Sequence, residues 1–201
     1  KCGIPYEDKN MSIVEIGGKH FEHFVELFNR NHVKKKVLCI TDKDFKWIEE
    51  GVFQSKADYD SYDVPHIKKL QERFSVDNFA VFTQKCGGRT FEDELFLTNI
   101  SNDNVNCTLF NMVISDSLKQ FYTDNNFSIS NWIANSGTLD GRVKKAIKPY
   151  LDAYTNRKDT AEELKGFYEN LAFSQLFLHY VENSKGDVAL QVLTSAELYG
   201  E

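Results

Sequence analysis

The sequence predicts an α/β fold in which helices flank a parallel sheet, with a helical subdomain inserted late in the chain. Three observations carry this. Val37-Leu38-Cys39-Ile40 is a run of β-branched and aliphatic residues that reads as a buried strand. Asn78-Phe79-Ala80-Val81-Phe82-Thr83 reads as another. Around them, apolar residues recur at the i, i+3, i+4, i+7 spacing of helices that pack one face inward.

Taken in order, Ser12-Ile13-Val14-Glu15-Ile16 is expected to be a strand, followed by a tight turn at Gly17-Gly18. Phe21, Phe24, Val25 and Phe28 then give the apolar stripe of a helix. With Val37–Ile40 these form a βαβ unit whose two strands should be parallel. His20 and His23 on or beside that helix have no third ligand at zinc spacing and read as rim residues, and Glu15 is either a ligand or an edge position. The segment Lys46 to Tyr62 is charged and aromatic with little period, which suggests a loop with a helical turn. Pro65 opens a polar helix to Phe74, as proline prefers in a first turn.

Beyond Asn104 the strand signal fades. Val105 to Val113 suits a strand or a buried helix, and Arg142 to Tyr154 is amphipathic with an irregularity expected at Pro149. Thr160 with Glu163 has the pattern of a capping box opening a long helix, along which Leu164, Phe167, Leu171, Leu178 and Val181 share a face. Ser184 to Leu190 opens a last short helix. The expected organisation is an α/β core over 1–103, a helical subdomain over 104–182 and a C-terminal helix within 183–201 that returns to the core.

Composition narrows the function. The formal net charge of −6 argues against avidity for nucleic acid over the whole surface. Local tracks remain at Lys34–Lys36, at Lys68-Lys69 with Arg73, and at Arg142 with Lys144, Lys145 and Lys148; each suits phosphate contacts or a solvated face. Cys2, Cys39, Cys86 and Cys107 are scattered, with no pattern of a zinc cluster or disulfide scaffold, and Cys39 reads as a core residue. No apolar run approaches the roughly 18 residues of a membrane span, so a cytoplasmic protein is expected. The Gly-Gly turn lacks a dinucleotide or P-loop pattern, which disfavours NAD and ATP binding by this chain. Lys1-Cys2-Gly3-Ile4-Pro5-Tyr6 has no initiator Met and reads as mid-protein loop, as in a piece of a longer chain.

The chemistry-bearing residues stand just past strand ends, where open α/β sheets gather ligands. Asp42 and Asp44 follow the Val37–Ile40 run, and an extended backbone would point both the same way, two hard oxygen ligands for Mg²⁺ or Mn²⁺. Equally, Asp42 suits a helix cap and Asp44 a solvated position. Gln84-Lys85-Cys86-Gly87-Gly88 leads from the later strand to Arg89-Thr90-Phe91-Glu92-Asp93-Glu94-Leu95, a second group of acids. Two carboxylate groups on two neighbouring loops suit two-metal phosphoryl chemistry, and Glu92–Glu94 also suit the first turn of an N-capped helix.

Four segments together resemble the TOPRIM domain in the version found in OLD-family (overcoming lysogenization defect) ATP-dependent nucleases: Ile13–Gly18 with its aromatic helix, Ile40–Asp44, Gly88–Leu95 and Lys185–Ala189. The resemblance implies a TOPRIM-like Rossmannoid sheet. It also implies a Mg²⁺- or Mn²⁺-dependent endonuclease acting on DNA, coupled in its parent to an ABC-type ATPase domain that dimerises, often in phage defence. Asp42 and Asp44 would match the metal ligands of the family's D-x-D element, Glu92 the acid of its Ser/Thr-x-Glu element with Thr90 alongside, and Lys185 the late lysine that stabilises charge on the phosphate. Asp42, Glu92 and Lys185 would then be the catalytic set of an in-line, two-metal phosphodiester hydrolysis.

One departure stands out. The family's first motif, a strand ending in Val-Glu-Gly with a further Glu, should lie upstream of Lys1, and Glu15 does not align with it. The expectation is weak metal binding and no cleavage by this chain alone. Primase or topoisomerase work ranks lower, because there is no zinc-ribbon pattern and none of the nine tyrosines stands in a strand-passage context. The other class is a non-catalytic regulatory or partner-binding module whose acids are helix caps.

Overall fold

The computed structural model describes residues 12–16, 20–29, 35–74, 79–99, 103–182 and 184–195. Among the described residues the fold is mixed α/β, with a two-stranded parallel sheet, a two-stranded antiparallel hairpin and many helices. It divides into two compact units, one of Lys1–Thr41 with Asp63–Phe82 and the other of Asp42–Tyr62 with Thr83–Glu201.

The first unit contains helix α1 (Phe21–Asn29), strand β1 (Val37–Ile40), and further on a helix at Pro65–Arg73 and a strand at Phe79–Phe82. Among the described residues of this unit, Val25, Cys39, Val64, Ile67, Leu70 and Phe74 are the buried side chains, so Cys39 is the core residue its context suggests. The parallel partner of β1 is the Phe79–Phe82 strand, in register Val37 with Phe79 to Ile40 with Phe82. The expected partner, Ser12–Ile16, forms no strand. Its Ile13 and Val14 are exposed, and strand propensity without a ladder and a covered face does not fix a strand. The Gly17-Gly18 turn lies outside the described residues, as do Lys34 and Asn78. Pro65 stands at the first turn of its helix, and Phe74 is its C-cap.

The second unit opens with what looks like loop in the sequence but is a hairpin, β2 (Ile48–Glu49) against β3 (Val52–Phe53), followed by helix α2 (Lys56–Ser61). Glu50 and Gly51 both take positive φ, 52° and 76°, the requirement of a tight two-residue hairpin turn. Ser55 caps α2 by accepting from the Asp58 N–H at 3.0 Å. The aromatics here are core: Phe45 meets Trp47 edge-on at 4.9 Å, and Trp47 stacks on Tyr59 at 4.8 Å. Pairs of this kind add about 0.5–1.5 kcal/mol beyond their buried area.

With the first unit's Pro65–Arg73 helix as α3 and its Phe79–Phe82 strand as β4, the remaining helices are α4 (Phe91–Thr98), α5 (Asp103–Val113), α6 (Asp116–Asn125), α7 (Ile129–Asn135), α8 (Gly141–Thr155), α9 (Lys165–Val181) and α10 (Lys185–Thr194). The ambiguous Val105–Val113 run is therefore helical, and α8 continues through Pro149. In α9 every residue from Leu171 to Leu178 is buried, so it is the central helix of this unit, packed by α4, α5 and α8. The Thr160–Glu163 capping box does not form. A short 3₁₀ turn, Glu162–Leu164, precedes α9, because the approach is tied elsewhere: Asp159 accepts from the Lys56 N–H at 2.8 Å and from the Tyr168 hydroxyl at 2.7 Å. No helix among the described residues is long and apolar enough to cross a membrane.

Candidate active site

The second unit brings together two stretches of loop, residues 42–47 and 84–89. Their backbones and side chains cross-link directly. The Lys43 N–H donates to Gln84 Oε1 at 2.7 Å, the Asp44 N–H to the Arg89 carbonyl at 2.8 Å, and the Trp47 indole to the Gly87 carbonyl at 2.6 Å. The Tyr59 hydroxyl adds a bond of 2.8 Å to the Gly88 carbonyl.

Asp44 has φ of 54°, so the backbone turns left-handed rather than continuing the strand. Lys43, between the two acids, is buried; its ammonium donates to the Tyr59 carbonyl at 2.6 Å and lies 3.8 Å from the centre of the Tyr59 ring. Asp42 is half-buried and Asp44 exposed. The even alternation of an extended chain is therefore absent here.

The second acid group is sorted by the backbone. Glu94 folds back over the turn before α4, accepting from the N–H groups of Lys85 (2.8 Å), Cys86 (2.9 Å) and Gly88 (2.8 Å). That closeness explains Gly88, because a Cβ there would stand 2.6 Å from Glu94 Cβ and 2.7 Å from its Cα. Gly87 takes φ of 117°, which side chains rarely adopt. Asp93 is fully buried and forms a capping box with Thr90, accepting from the Thr90 N–H at 2.8 Å, the Arg89 N–H at 3.0 Å and Gln175 Nε2 at 2.9 Å. Burial pushes the Asp93 carboxyl up, and these donors oppose the shift. The Thr90 hydroxyl donates to Asp93 at 3.1 Å. So Asp93 and Glu94 shape the turn, as the N-capped-helix reading of these acids has it.

Glu92 differs. Its carboxylate lies 3.2 Å from the Lys185 ammonium at the start of α10. Burial would raise its pKa, but the Thr90 hydroxyl, its own backbone N–H and Lys185 outweigh that and hold it below the usual carboxylate range. Asp42 behaves oppositely. Burial pushes its carboxyl up, Gln84 Nε2 donating at 2.7 Å pulls it down, the charges of Glu92 and Asp44 raise it again, and Lys185 lowers it. Asp42, Asp44, Glu92 and Lys185 thus act on one another electrostatically, although they come from three separate stretches of sequence.

The donor chemistry suits a hard divalent cation: the oxygens are carboxylate, and Asp42 is a partly desolvated carboxylate repelled by two others, the arrangement that a cation relieves. Among the described residues, however, no group of three or more His, Cys, Asp or Glu side chains converges closely enough to hold a metal. Gln84 carries no sequence pattern; the signal for it is its position two residues past a strand end. Glu15, His20 and His23 are exposed in the first unit.

The family described as overcoming lysogenization defect protein-like, TOPRIM domain, matches residues 1–44. That match takes in Ile13–Gly18 and Ile40–Asp44, and stops before Gly88–Leu95 and Lys185–Ala189. No curated protein and no solved structure matches the chain.

Proposed function

We propose that this chain is the TOPRIM-like nuclease portion of an OLD-like ATP-dependent protein and that it hydrolyses DNA phosphodiesters. The observation that carries the reading is the pairing of the two loops: Asp42 held by Gln84 at 2.7 Å on one side and Glu92 held by Lys185 at 3.2 Å on the other, with burial and the charges of Glu92 and Asp44 pushing the Asp42 carboxyl up against Gln84 and Lys185. The family match ending at Asp44 supports it.

Asp42, Asp44 and Glu92, with the Thr90 oxygen alongside, are the residues that would supply ligands to Mg²⁺ or Mn²⁺, drawn in by the ion from positions that do not converge in its absence; the ion would supply Lewis-acid polarisation of the phosphodiester. Gln84 orients the Asp42 carboxylate toward that task. The Lys185 ammonium, 3.2 Å from the Glu92 carboxylate, would stabilise the negative charge that develops on the phosphate. Lys43 takes no part in the chemistry, since its ammonium is buried on Tyr59. An ABC-type ATPase domain in the same parent, dimerisation through that parent, a cytoplasmic site of action and a role in phage defence belong to this proposal.

The test is plasmid nicking by the parent protein with Mn²⁺ or Mg²⁺. Asp42→Ala and Lys185→Ala should each abolish cleavage with folding intact; cleavage at wild-type rates in both would reject the nuclease reading. A non-catalytic regulatory or partner-binding module is the second reading. It is favoured by the absence, among the described residues, of three convergent ligand side chains.

A further inference from the structure

The second unit also carries a cleft of about 310 Å³ that no part of the mechanism above uses. Three of its lining side chains are basic, Lys46, Arg89 and His179, against one acid, Glu182. Tyr150 adds an aromatic wall, its ring centre 5.9 Å from that of His179. Arg89 is half-buried, and its Nε is shielded from solvent with no hydrogen-bond partner among the described residues. A buried donor of this kind is costly to leave unpaired unless an acceptor reaches it. The cleft therefore favours an anionic ligand with oxygen acceptors, and guanidinium geometry suits phosphate.

The rim decides which phosphate. Lys46, His179 and Glu182 are exposed, so a ligand here is only partly covered, unlike a metabolite enclosed by its pocket. The two cationic side chains nearest the carboxylates in sequence, Lys46 and Arg89, come from the same loops as those carboxylates, while α8 and α9 supply most of the remaining wall. Arg89 precedes Thr90 and accepts from the Asp44 N–H, and Lys46 lies two residues beyond Asp44. Gln175 lines the cleft and donates to Asp93, which holds the Arg89 N–H.

We infer that this cleft binds a phosphodiester of a nucleic-acid strand, with Lys46 and Arg89 on the phosphate oxygens and Tyr150 against the adjoining sugar or base. The inference rests on the nuclease reading and names a contact for its substrate. Base–aromatic stacking and backbone neutralisation together are how strands are held without regard to sequence.

The experiment is fluorescence anisotropy of a 5′-fluorescein-labelled oligothymidylate with the parent protein in EDTA, across a salt series. Lys46→Ala and Arg89→Gln should each weaken binding about five- to tenfold at low salt and flatten the salt dependence by about 0.7 per lost phosphate contact. Lys119→Ala, an equal charge change at a part-exposed lysine of α6 that does not line the cleft, should leave both unchanged. Binding by Lys46→Ala at wild-type affinity and slope overturns the inference whatever Arg89→Gln does, and so does a wild-type protein that fails to bind the strand. Saturable, Lys46-dependent binding of inorganic phosphate without binding of the strand would reassign the cleft to free phosphate and reject the strand. Nicking by Asp42→Asn run in parallel separates the two readings: full activity there rejects the carboxylate chemistry, while the anisotropy judges the cleft.

Discussion

Gln84 holds Asp42 with one end of its amide and the backbone beside it with the other. Nε2 donates to Asp42 Oδ1 and Oε1 accepts from the Lys43 N–H, each at 2.7 Å. Only one orientation of the amide satisfies both partners, so the carboxylate is fixed by a group that cannot titrate.

Gln84→Glu keeps the acceptor for Lys43 and replaces the donor with a charge facing Asp42. The Asp42 carboxyl should move further up, and Mn²⁺ affinity measured by calorimetry should fall about tenfold, the lower end for residues that orient a ligand. Tighter binding in Gln84→Glu would mean that the new carboxylate joins the ligands and that Gln84 is not a positioning residue.

The two carboxylates at the site should respond to pH with opposite signs. Asp42 has a raised pKa, so the folded chain holds that proton more firmly than the unfolded one. Its contribution to stability is complete below the ordinary carboxylate range and is lost as pH rises through the raised value. Glu92 has a lowered pKa, so its contribution is present above the ordinary range and is lost as pH falls through the lowered value. Asp42→Asn keeps an acceptor for Gln84 and removes the desolvated charge; its Tm relative to wild type should climb from acid pH and level off near neutrality. Glu92→Gln should trend the other way. Each difference should stay within about 1 kcal/mol, since both groups are part-exposed, or about 2–4 °C in Tm. Parallel trends in the two variants would contradict this account.

Gly88→Ala tests the turn. Its methyl group would press on Glu94 Cβ at 2.6 Å and on the backbone Cα at 2.7 Å, atoms that cannot swing aside. A loss of about 1–3 kcal/mol is expected in denaturant unfolding, with nicking lost as well. Gly137→Ala, where a Cβ meets nothing within 4 Å, is the matched control and should stay near wild type.

Much of the framework is legible in the sequence, because it rests on local pattern. The helix of α1, the strand at Val37–Ile40 and the proline that opens α3 appear where pattern rules put them. Of that strand, however, only Cys39 is buried while Leu38 and Ile40 are exposed, and α9 is buried all round from Leu171 to Leu178 instead of along one face. The hairpin of β2 and β3 is only two residues a side, below any period, and its signal was the glycine after Glu50. Ser12–Ile16 has the composition of a strand, but a strand also needs a neighbour. Within the site, the strings Asp42-Lys43-Asp44 and Glu92-Asp93-Glu94 show where acids are but not which way each one faces. That is settled by a left-handed Asp44, by a buried Lys43, and by backbone N–H groups that claim Asp93 and Glu94. Such partners lie several residues away around a turn and follow no periodicity.

Glu94 and Asp93 knit the turn to the first residues of α4: three N–H groups bind to one carboxylate, two to the other, and Gly88 is pressed against the helix backbone. Turn and helix start are in effect one machined part. Arg89 at the cleft and Glu92 beside Lys185 are mounted on that part three residues apart, so neither can be re-aimed without dragging the other. On the proposed reading, a strand seated at one mount would set the aim at the other, with two acids that make no contact of their own with that strand serving as the gauge block.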